Sequence, residues 1–437
     1  MKIITRIFLC IIATSCTTPS KELSLLEKYM QAEAEINNFS GTVLITRNDS
    51  ILLKKSYGLA DYEWEIKNTI DTKFSLASVS KQFTAVAILQ LAEANKLSVD
   101  DTLSKYYPSL PNGDKITIKM LLSHNSGINN DNNELFMSNS SLNTDDVIKL
   151  VMDKPLLFEP GTNTAYSNEG YFILAMLIEK VSGKTYATYL REHMFDSIKM
   201  TNSGVSSNDS IFSKMSKPYY RQNGVLIHNP YSNWKYNIGM DGVYSTVEDL
   251  YIWNKNLFDS NTLLSDESKS QMFTSHNDQN FGYGVMVNPF YNHGHHLIAH
   301  DGGFYGTQTS FNKFTDDNVF VTVLSNNASP SYLIAYGLSA IALGKSVELP
   351  YKHIAVQVDP MIYDQYVGEY EGIKIHKKED KLFYSDNDIE LIPESKTKFF
   401  RADINSRTIE FIKNKEGDII QIIITKAGVK EIKNKVK

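Results

Sequence analysis

Phe74-Ser75-Leu76-Ala77-Ser78-Val79-Ser80-Lys81-Gln82-Phe83-Thr84, with the apolar run behind it, is the stretch around which the chain is organised. From Phe83 to Leu91 the residues Phe83, Ala85, Val86, Ala87, Ile88, Leu89 and Leu91 leave almost no polar face on a helical wheel. Such a helix is buried on most sides rather than laid on a surface. Ser78 falls at its first turn, and Lys81, three residues on, shares its face. A hydroxyl and an amine held together at the end of a buried helix can make a serine nucleophilic without a histidine. Away from water and beside the positive helix end, the amine pKa is pushed down and a neutral base becomes available. The Ser78 N–H can face an oxygen that turns negative during acyl transfer. The spacing alone is not distinctive. It recurs at Ser232-Asn233-Trp234-Lys235 and Ser395-Lys396-Thr397-Lys398, but only the copy at Ser78 opens a long apolar helix.

The chain has 437 residues, so two or three domains are expected. With 42% hydrophobic and 22% charged residues it has the composition of a globular protein with a sizeable core. A net charge of −6 without a dense basic stripe argues against nucleic acid as a partner. Lys2 and Arg6 precede Ile7-Phe8-Leu9-Cys10-Ile11-Ile12-Ala13, too short to cross a bilayer and suited to a signal peptide. The run ends in Ala13-Thr14-Ser15-Cys16, which resembles a bacterial lipoprotein cleavage site, with Cys16 as the lipidated first residue of the mature chain. A protein of the bacterial cell envelope, held to the membrane by lipid, is the expectation. With Cys10 removed, no intramolecular disulfide is possible.

Beyond a Thr/Pro/Ser tether, Leu23 to Ile36 reads as an amphipathic helix, and Thr42 to Arg47 with Ile51 to Tyr57 as a hairpin. The middle of the chain reads as mainly helical, with candidates at Ile118 to Ser123, Thr144 to Met152, Gly170 to Val181, Tyr186 to Phe195 and Val247 to Phe258. Strands return at Gly282 to Val287, Leu297 to His300, Gln308 to Phe314 and Val319 to Leu324, before a helix from Tyr332 to Leu343. One sheet built from both ends of the chain around a helical middle follows, an α/β plus all-α architecture. From Tyr366 onward, short alternating strands and charged turns predict a small all-β meander or barrel. The resulting division is 1–20 signal and tether, 21–348 catalytic domain, 349–360 linker and 361–437 β-domain.

Tyr166-Ser167-Asn168 follows a Phe158-Glu159-Pro160-Gly161 turn and precedes a helix. A tyrosine there can exchange protons with the Ser78/Lys81 pair, and an asparagine amide can orient a substrate carbonyl. The second copy, Tyr231-Ser232-Asn233, sits in an Asn/Tyr-rich loop that fixes geometry less well. His300-Asp301-Gly302-Gly303 is expected to end a strand, where glycines admit a substrate backbone and Gly303 supplies a second N–H to the oxyanion. His293, His295 and His296 lack the carboxylate or cysteine spacing of a metal site and are expected as solvated loop residues. The loops Asn129 to Asn143 and Tyr219 to Tyr236 are candidates for the pocket mouth. No metal or organic cofactor is called for.

Ser78-Val79-Ser80-Lys81, Tyr166-Ser167-Asn168 and His300-Asp301-Gly302, in that order, resemble the three motifs of the penicillin-recognising serine hydrolases related to class C β-lactamases. Leu121 to Gly127, Phe158 to Gly161 and Tyr244 to Leu250 extend the resemblance over roughly residues 25 to 345. The family includes esterases, D-aminopeptidases, DD-peptidases and lactamases. The resemblance implies a β-lactamase/DD-peptidase-like domain, an antiparallel sheet flanked by helices with a helical subdomain, followed by a β-domain similar to a lipocalin. It implies Ser78 as nucleophile, Lys81 and Tyr166 sharing base and acid duties, and Asn168, His300, Gly302 and Gly303 contacting substrate. Leu121 to Gly127 is expected to serve packing. Lactamases and DD-peptidases of the superfamily carry Lys-Thr-Gly at the third motif, where lysine engages a substrate carboxylate. Here His300 stands there, at best partly charged near neutral pH. A hydrolase acting through an acyl-enzyme on an ester or a small amide or peptide is therefore expected. A β-lactamase or D-Ala-D-Ala carboxypeptidase is the alternative, and a silent penicillin-binding or sensing module is the third reading.

Overall fold

The computed structural model describes residues 21–131, 137, 142–222, 225–385, 387–403 and 406–436. Cys16 and the expected signal run lie outside these residues, as do parts of the 129–143 and 219–236 loops.

Five helices and six strands frame the larger part. The helices are α1 (Lys21–Ile36), α2 (Lys81–Glu93), α3 (Asn168–Ser182), α4 (Val247–Phe258) and α5 (Ser331–Ala342). The strands are β1 (Gly41–Arg47), β2 (Ser50–Tyr57), β3 (Met286–Val287), β4 (Leu297–Phe304), β5 (Thr307–Phe314) and β6 (Val319–Ser325). They form one antiparallel sheet in the order β3-β4-β5-β6-β1-β2. The early hairpin joins the late strands through β1 and β6, from Gly41 opposite Ser325 to Arg47 opposite Val319. Both faces of the central strands are covered. Val43, Ile45, Val319, Val321 and Val323 pack towards α1 and α5, while Leu44, Phe311, Phe320 and Leu324 join the core around α2, α3 and α4. This is the period of two expected of a strand, with no solvent side.

α2 is the axle of the second core. All its residues from Lys81 to Leu91 are buried except Gln90; Gln82 Oε1 and Thr84 Oγ1 are tied to neighbours, whereas Gln82 Nε2 has no partner among the described residues. Trp253 on α4 donates to Gln82 Oε1 at 3.3 Å, and Thr84 Oγ1 donates to Gly239 O at 2.7 Å. A lone polar atom in such surroundings would be expensive, so these ties matter.

Two segments differ from expectation. β4 does not end at His300 but runs on to Phe304, and the chain reverses at Tyr305-Gly306, where Gly306 takes φ +83°. The glycines Gly302 and Gly303 therefore lie inside the strand. Of the run Gly282 to Val287, only Met286–Val287 is paired strand. A side chain on Gly284 would stand 2.5 Å from the Lys81 carbonyl, so this backbone is pressed onto α2 rather than laid into the sheet.

The rest of the described chain is an eight-stranded antiparallel meander: β7 (Gly368–Tyr370), β8 (Ile373–Lys378), β9 (Lys381–Tyr384), β10 (Ile389–Pro393), β11 (Lys398–Arg401), β12 (Arg407–Lys413), β13 (Ile419–Lys426) and β14 (Val429–Asn434). Lys435 bridges back to Tyr370, and Val436 N–H donates to Glu369 O at 2.8 Å, so the barrel is nearly closed and its edges are paired. Tyr366, Tyr370, Ile375, Leu382, Phe399 and Phe411 are among its filling. The Ala427-Gly428 turn seats it on the larger part. A Cβ on Gly337 of α5 would meet Tyr29 Oη of α1 at 2.3 Å and Ala427 O at 2.9 Å.

Gly337→Ala overpacks this three-way contact. It is expected to lower stability by about 1–3 kcal/mol in urea titrations while leaving the far side of the sheet, and the chemistry described below, unchanged. Unaltered stability would mean that the barrel seat is loose.

Candidate active site

Ser78 lies on a 3₁₀ turn, Ala77–Ser80, that runs directly into α2. The turn is anchored from two sides. Leu76 N–H donates to Val243 O at 2.8 Å, and Val243 N–H donates to Ser80 Oγ at 3.1 Å. Ala77 takes φ +47°, a left-handed conformation that costs a residue with a Cβ about 1 kcal/mol or more. β4 holds it there. A Cβ on Gly302 would stand 2.4 Å from Leu76 O and 3.1 Å from Ala77 Cβ, and Thr309 Oγ1 donates to Leu76 O at 2.7 Å.

Lys81 is 0% exposed. Its Nζ has three acceptors: Ser78 Oγ at 3.1 Å, Asn168 Oδ1 at 2.8 Å and Met240 O at 2.8 Å. Two of these are carbonyl oxygens, which only accept. Burial pushes the amine down to about 7, against Asp241 and Glu169, which pull it up. Once it loses a proton, its two remaining N–H bonds satisfy the carbonyls and the lone pair is left towards Ser78 Oγ.

Tyr166 is hydrogen-bonded to Ser78, and burial is the main reason its phenol is held well above its ordinary pKa. Lys81 Nζ lies 4.8 Å from the centre of its ring. The ring rests on His124, with centroids 4.4 Å apart, and His124 Nδ1 accepts from Ser167 N–H at 3.1 Å. His124 thus braces the Tyr166 loop from below. Asn168 opens α3, capped by Ser167, whose side chain accepts from Gly170 N–H at 3.1 Å. Its own N–H donates to Asn130 Oδ1 at 2.8 Å.

A cleft of about 320 Å³ opens above these groups, with Ser78, Asn168, Met240, Asp241, Gly303 and Phe304 in its walls. Gly303 therefore faces the cleft. Gly302 faces the Leu76-Ala77 turn instead, so close approach of backbones, rather than contact with a ligand, is why that position lacks a side chain. His300 is buried beside Tyr166, their ring centroids 6.4 Å apart, and is not among the residues that line the cleft. Its Nδ1 donates to Asp301 O at 2.7 Å, which leaves Nε2 as an acceptor, buried and without a partner. Burial, helped by Lys81, drives this imidazole down to about 3. It is neutral at physiological pH rather than partly charged.

Asp241 is the member that sequence reasoning missed. It stands in a turn framed by Gly239 and Gly242, where a Cβ on Gly239 would lie 2.3 Å from Tyr171 O. This close seat on α3 presents both Met240 O and Asp241 to Lys81. Burial raises the Asp241 carboxyl to about 6, with the Gly242 N–H and Lys81 pulling it back. An acidic residue between glycines was the available signal, too common to be read alone.

The decoys fall elsewhere. Lys235 Nζ donates to Leu142 O at 2.6 Å, Tyr231 is exposed, and Ser395 Oγ accepts from Lys398 N–H in a barrel turn. His293, His295 and His296 are half-buried rather than solvated, on Tyr336 O, Asp317 and Thr315 respectively.

A buried hydroxyl–amine–phenol cluster at the head of a core helix, beside an antiparallel sheet, defines a serine hydrolase of the β-lactamase fold. The Beta-lactamase family profile matches residues 26–342, and the chain belongs to that family. It is 35% identical over 263 residues to PbpX of Bacillus subtilis (strain 168), which takes in 59% of this chain and 64% of that one. The match thus spans less than two thirds of the length of that relative. Penicillin-binding protein 4* of the same organism is 25% identical over 411 residues, 86% of this chain and 90% of its own. The octameric penicillin-binding protein homologue from Pyrococcus abyssi superposes with a TM-score of 0.68 at 23% identity, covering 94% of this chain and all of that one. That likeness extends the shared fold into the barrel.

Labelling by a serine-directed phosphonate should rise with pH through a midpoint near 7, as Lys81 loses its proton. Asp241 raises the Lys81 pKa, so Asp241→Asn should move that midpoint to lower pH. A midpoint that stays put would show that Lys81 is not the titrating group.

Proposed function

We propose that the protein hydrolyses an ester, or a small amide or peptide, through an acyl-enzyme on Ser78. The observation that carries this reading is the Lys81 Nζ coordination: two carbonyl acceptors and Ser78 Oγ, with an amine pKa near 7. The neutral amine takes the Ser78 proton as Oγ attacks the substrate carbonyl. The N–H groups of Ser78 and Gly303 receive the developing oxyanion. Tyr166, a phenol that keeps its proton, gives it to the leaving alcohol or amine and regains one from the Lys81 ammonium. Water then releases the acid, with the same groups moving its proton. Asn168 bridges Lys81 and the cleft and positions both.

The cleft favours esters and small amides over β-lactams. Among the described residues that line it there is no arginine or lysine to meet a substrate carboxylate. His300 is neutral and Asp241 adds negative charge. The kinship with a protein named as a penicillin-binding protein supports β-lactamase or D-Ala-D-Ala carboxypeptidase activity as the second reading. A module that binds penicillin without turnover is the third.

Ser78→Ala should abolish both turnover and the covalent adduct seen by intact-protein mass spectrometry. Tyr166→Phe should slow turnover by roughly 10²–10⁴-fold. On the wild-type protein, kcat/KM for a neutral aryl ester should exceed that for a chromogenic cephalosporin by at least about tenfold. The reverse order would favour the second reading, and a stable adduct without release the third. We also propose that Cys16 carries lipid in the bacterial envelope, so that Cys16→Ser should move the protein from the membrane to the soluble fraction. Among the described residues no helix is long and apolar enough to cross a membrane.

A further inference from the structure

The second site is at the end of the barrel that meets Phe290 and Tyr336 of the larger part, in a cavity separate from the cleft at Ser78. Strand parity decides which side chains point inward. Arg407 shares its face of β12 with Ile409 and Phe411, Lys426 its face of β13 with Ile422, and Arg401 its face of β11 with Phe399. These four apolar partners are all core residues. Arg407 and Lys426 are direct cross-strand partners, and the β11–β12 register, which sets Phe400 against Thr408, places Arg401 opposite Arg407 one step on. Three cations therefore stand side by side on three adjacent strands, pointing into one end of the barrel. Like charges directly opposed across strands are destabilising, and burial makes this worse.

The protein relieves only part of that repulsion. Arg401 is paired with Asp403 at 2.6 Å, and Glu431, on the same wall, is paired with Lys433 at 2.7 Å. Among the described residues neither Arg407 nor Lys426 has an ion pair, and Arg407 Nε is buried without any hydrogen-bond partner. Lys426 lies over the ring faces of Phe290 and Tyr336, each at 4.6 Å, and the carboxylates of Asp301 and Glu431 act on it through space without an ion pair. Burial, and then Arg407, hold its amine down to about 8, so it is still mostly charged at neutral pH. The three cations line a cavity of about 180 Å³ whose other walls include Ile373, Ile409, Ile424, Phe290 and Tyr336.

We propose that this end of the barrel binds a small organic acid, its carboxylate on Arg407 and Lys426 and its apolar body against the isoleucines and the two rings. A guanidinium and an ammonium at the head of an apolar pocket match a carboxylate that carries hydrocarbon better than they match a free inorganic anion. The bound acid supplies the charge that the fold omits.

Calorimetry on the full chain with octanoate and benzoate tests this, beside their neutral counterparts octanol and benzyl alcohol and beside inorganic phosphate. Saturable binding of the acids, at least about tenfold tighter than of the alcohols, is expected. Arg407→Gln and Lys426→Gln should each weaken it by a similar factor, leave ester turnover unchanged, and raise the melting temperature of the unliganded protein. Acids bound no better than alcohols would overturn the proposal, and this comparison needs no variant. So would phosphate binding as tightly as the acids, or acid binding that survives both substitutions.

Discussion

A lysine amine with no exposure to water is the constraint on which the rest of the structure depends. An isolated ammonium in such a place is costly to bury, and Lys81 is accommodated in two ways. Met240 O, Asn168 Oδ1 and Ser78 Oγ satisfy it when charged, and desolvation brings its pKa within reach of neutral pH, so that the uncharged form is available. Each acceptor comes from a different element: the 3₁₀ turn, the first residue of α3, and the Gly239–Gly242 turn. Holding those three within 3.1 Å of one nitrogen requires α2, α3 and the 240 turn to be packed together, which is what the larger core does.

Close backbone contact is the second constraint, and it explains the glycines better than substrate binding does. Gly302 brings β4 against the carbonyl that precedes Ser78, and Gly284 brings another segment against the carbonyl of Lys81. Gly239 lets the 240 turn lie on α3. The strained Ala77 is the residue these contacts over-determine. A nucleophile on a turn clamped from both sides loses little further entropy when it reacts, which is the use of a rigid support.

The core helix, the sheet drawn from both ends of the chain and the barrel were all legible in the sequence, because hydrophobic period reports burial directly. α4 matches its expected span, and the β1–β6 pairing is the inferred joining of the termini. What periodicity cannot carry is contact between segments distant in sequence. Asp241 lies 160 residues from Lys81 and has no pattern of its own, so only the fold makes it a neighbour. The end of β4 was misplaced for a related reason. Two adjacent glycines read as a turn, whereas here one serves a tight approach and the reversal waits for Gly306. The charge state of His300 was likewise hidden, since burial is a tertiary property.

The barrel and the cleft share a physical connection that neither domain's sequence reveals. Lys426 rests on Phe290, Phe290 packs edge-on against Tyr291 at 5.2 Å, and Tyr291 donates to Asp301 Oδ2 at 2.8 Å. Asp301 in turn supplies the carbonyl that fixes the tautomer of His300. Its carboxyl is raised by burial and lowered by Ser310, by Tyr291 and by the field of Lys426. Charge neutralised at the barrel mouth would therefore be felt first at Asp301, by Coulomb interaction rather than by movement. The tautomer of His300 would be insensitive to it, because the accepting atom is the backbone oxygen and not the carboxylate. Lys81 takes its own shift from burial, Asp241 and Glu169, so the field of Lys426 acts on Asp301 and the amine answers to the groups that hold it in the larger core.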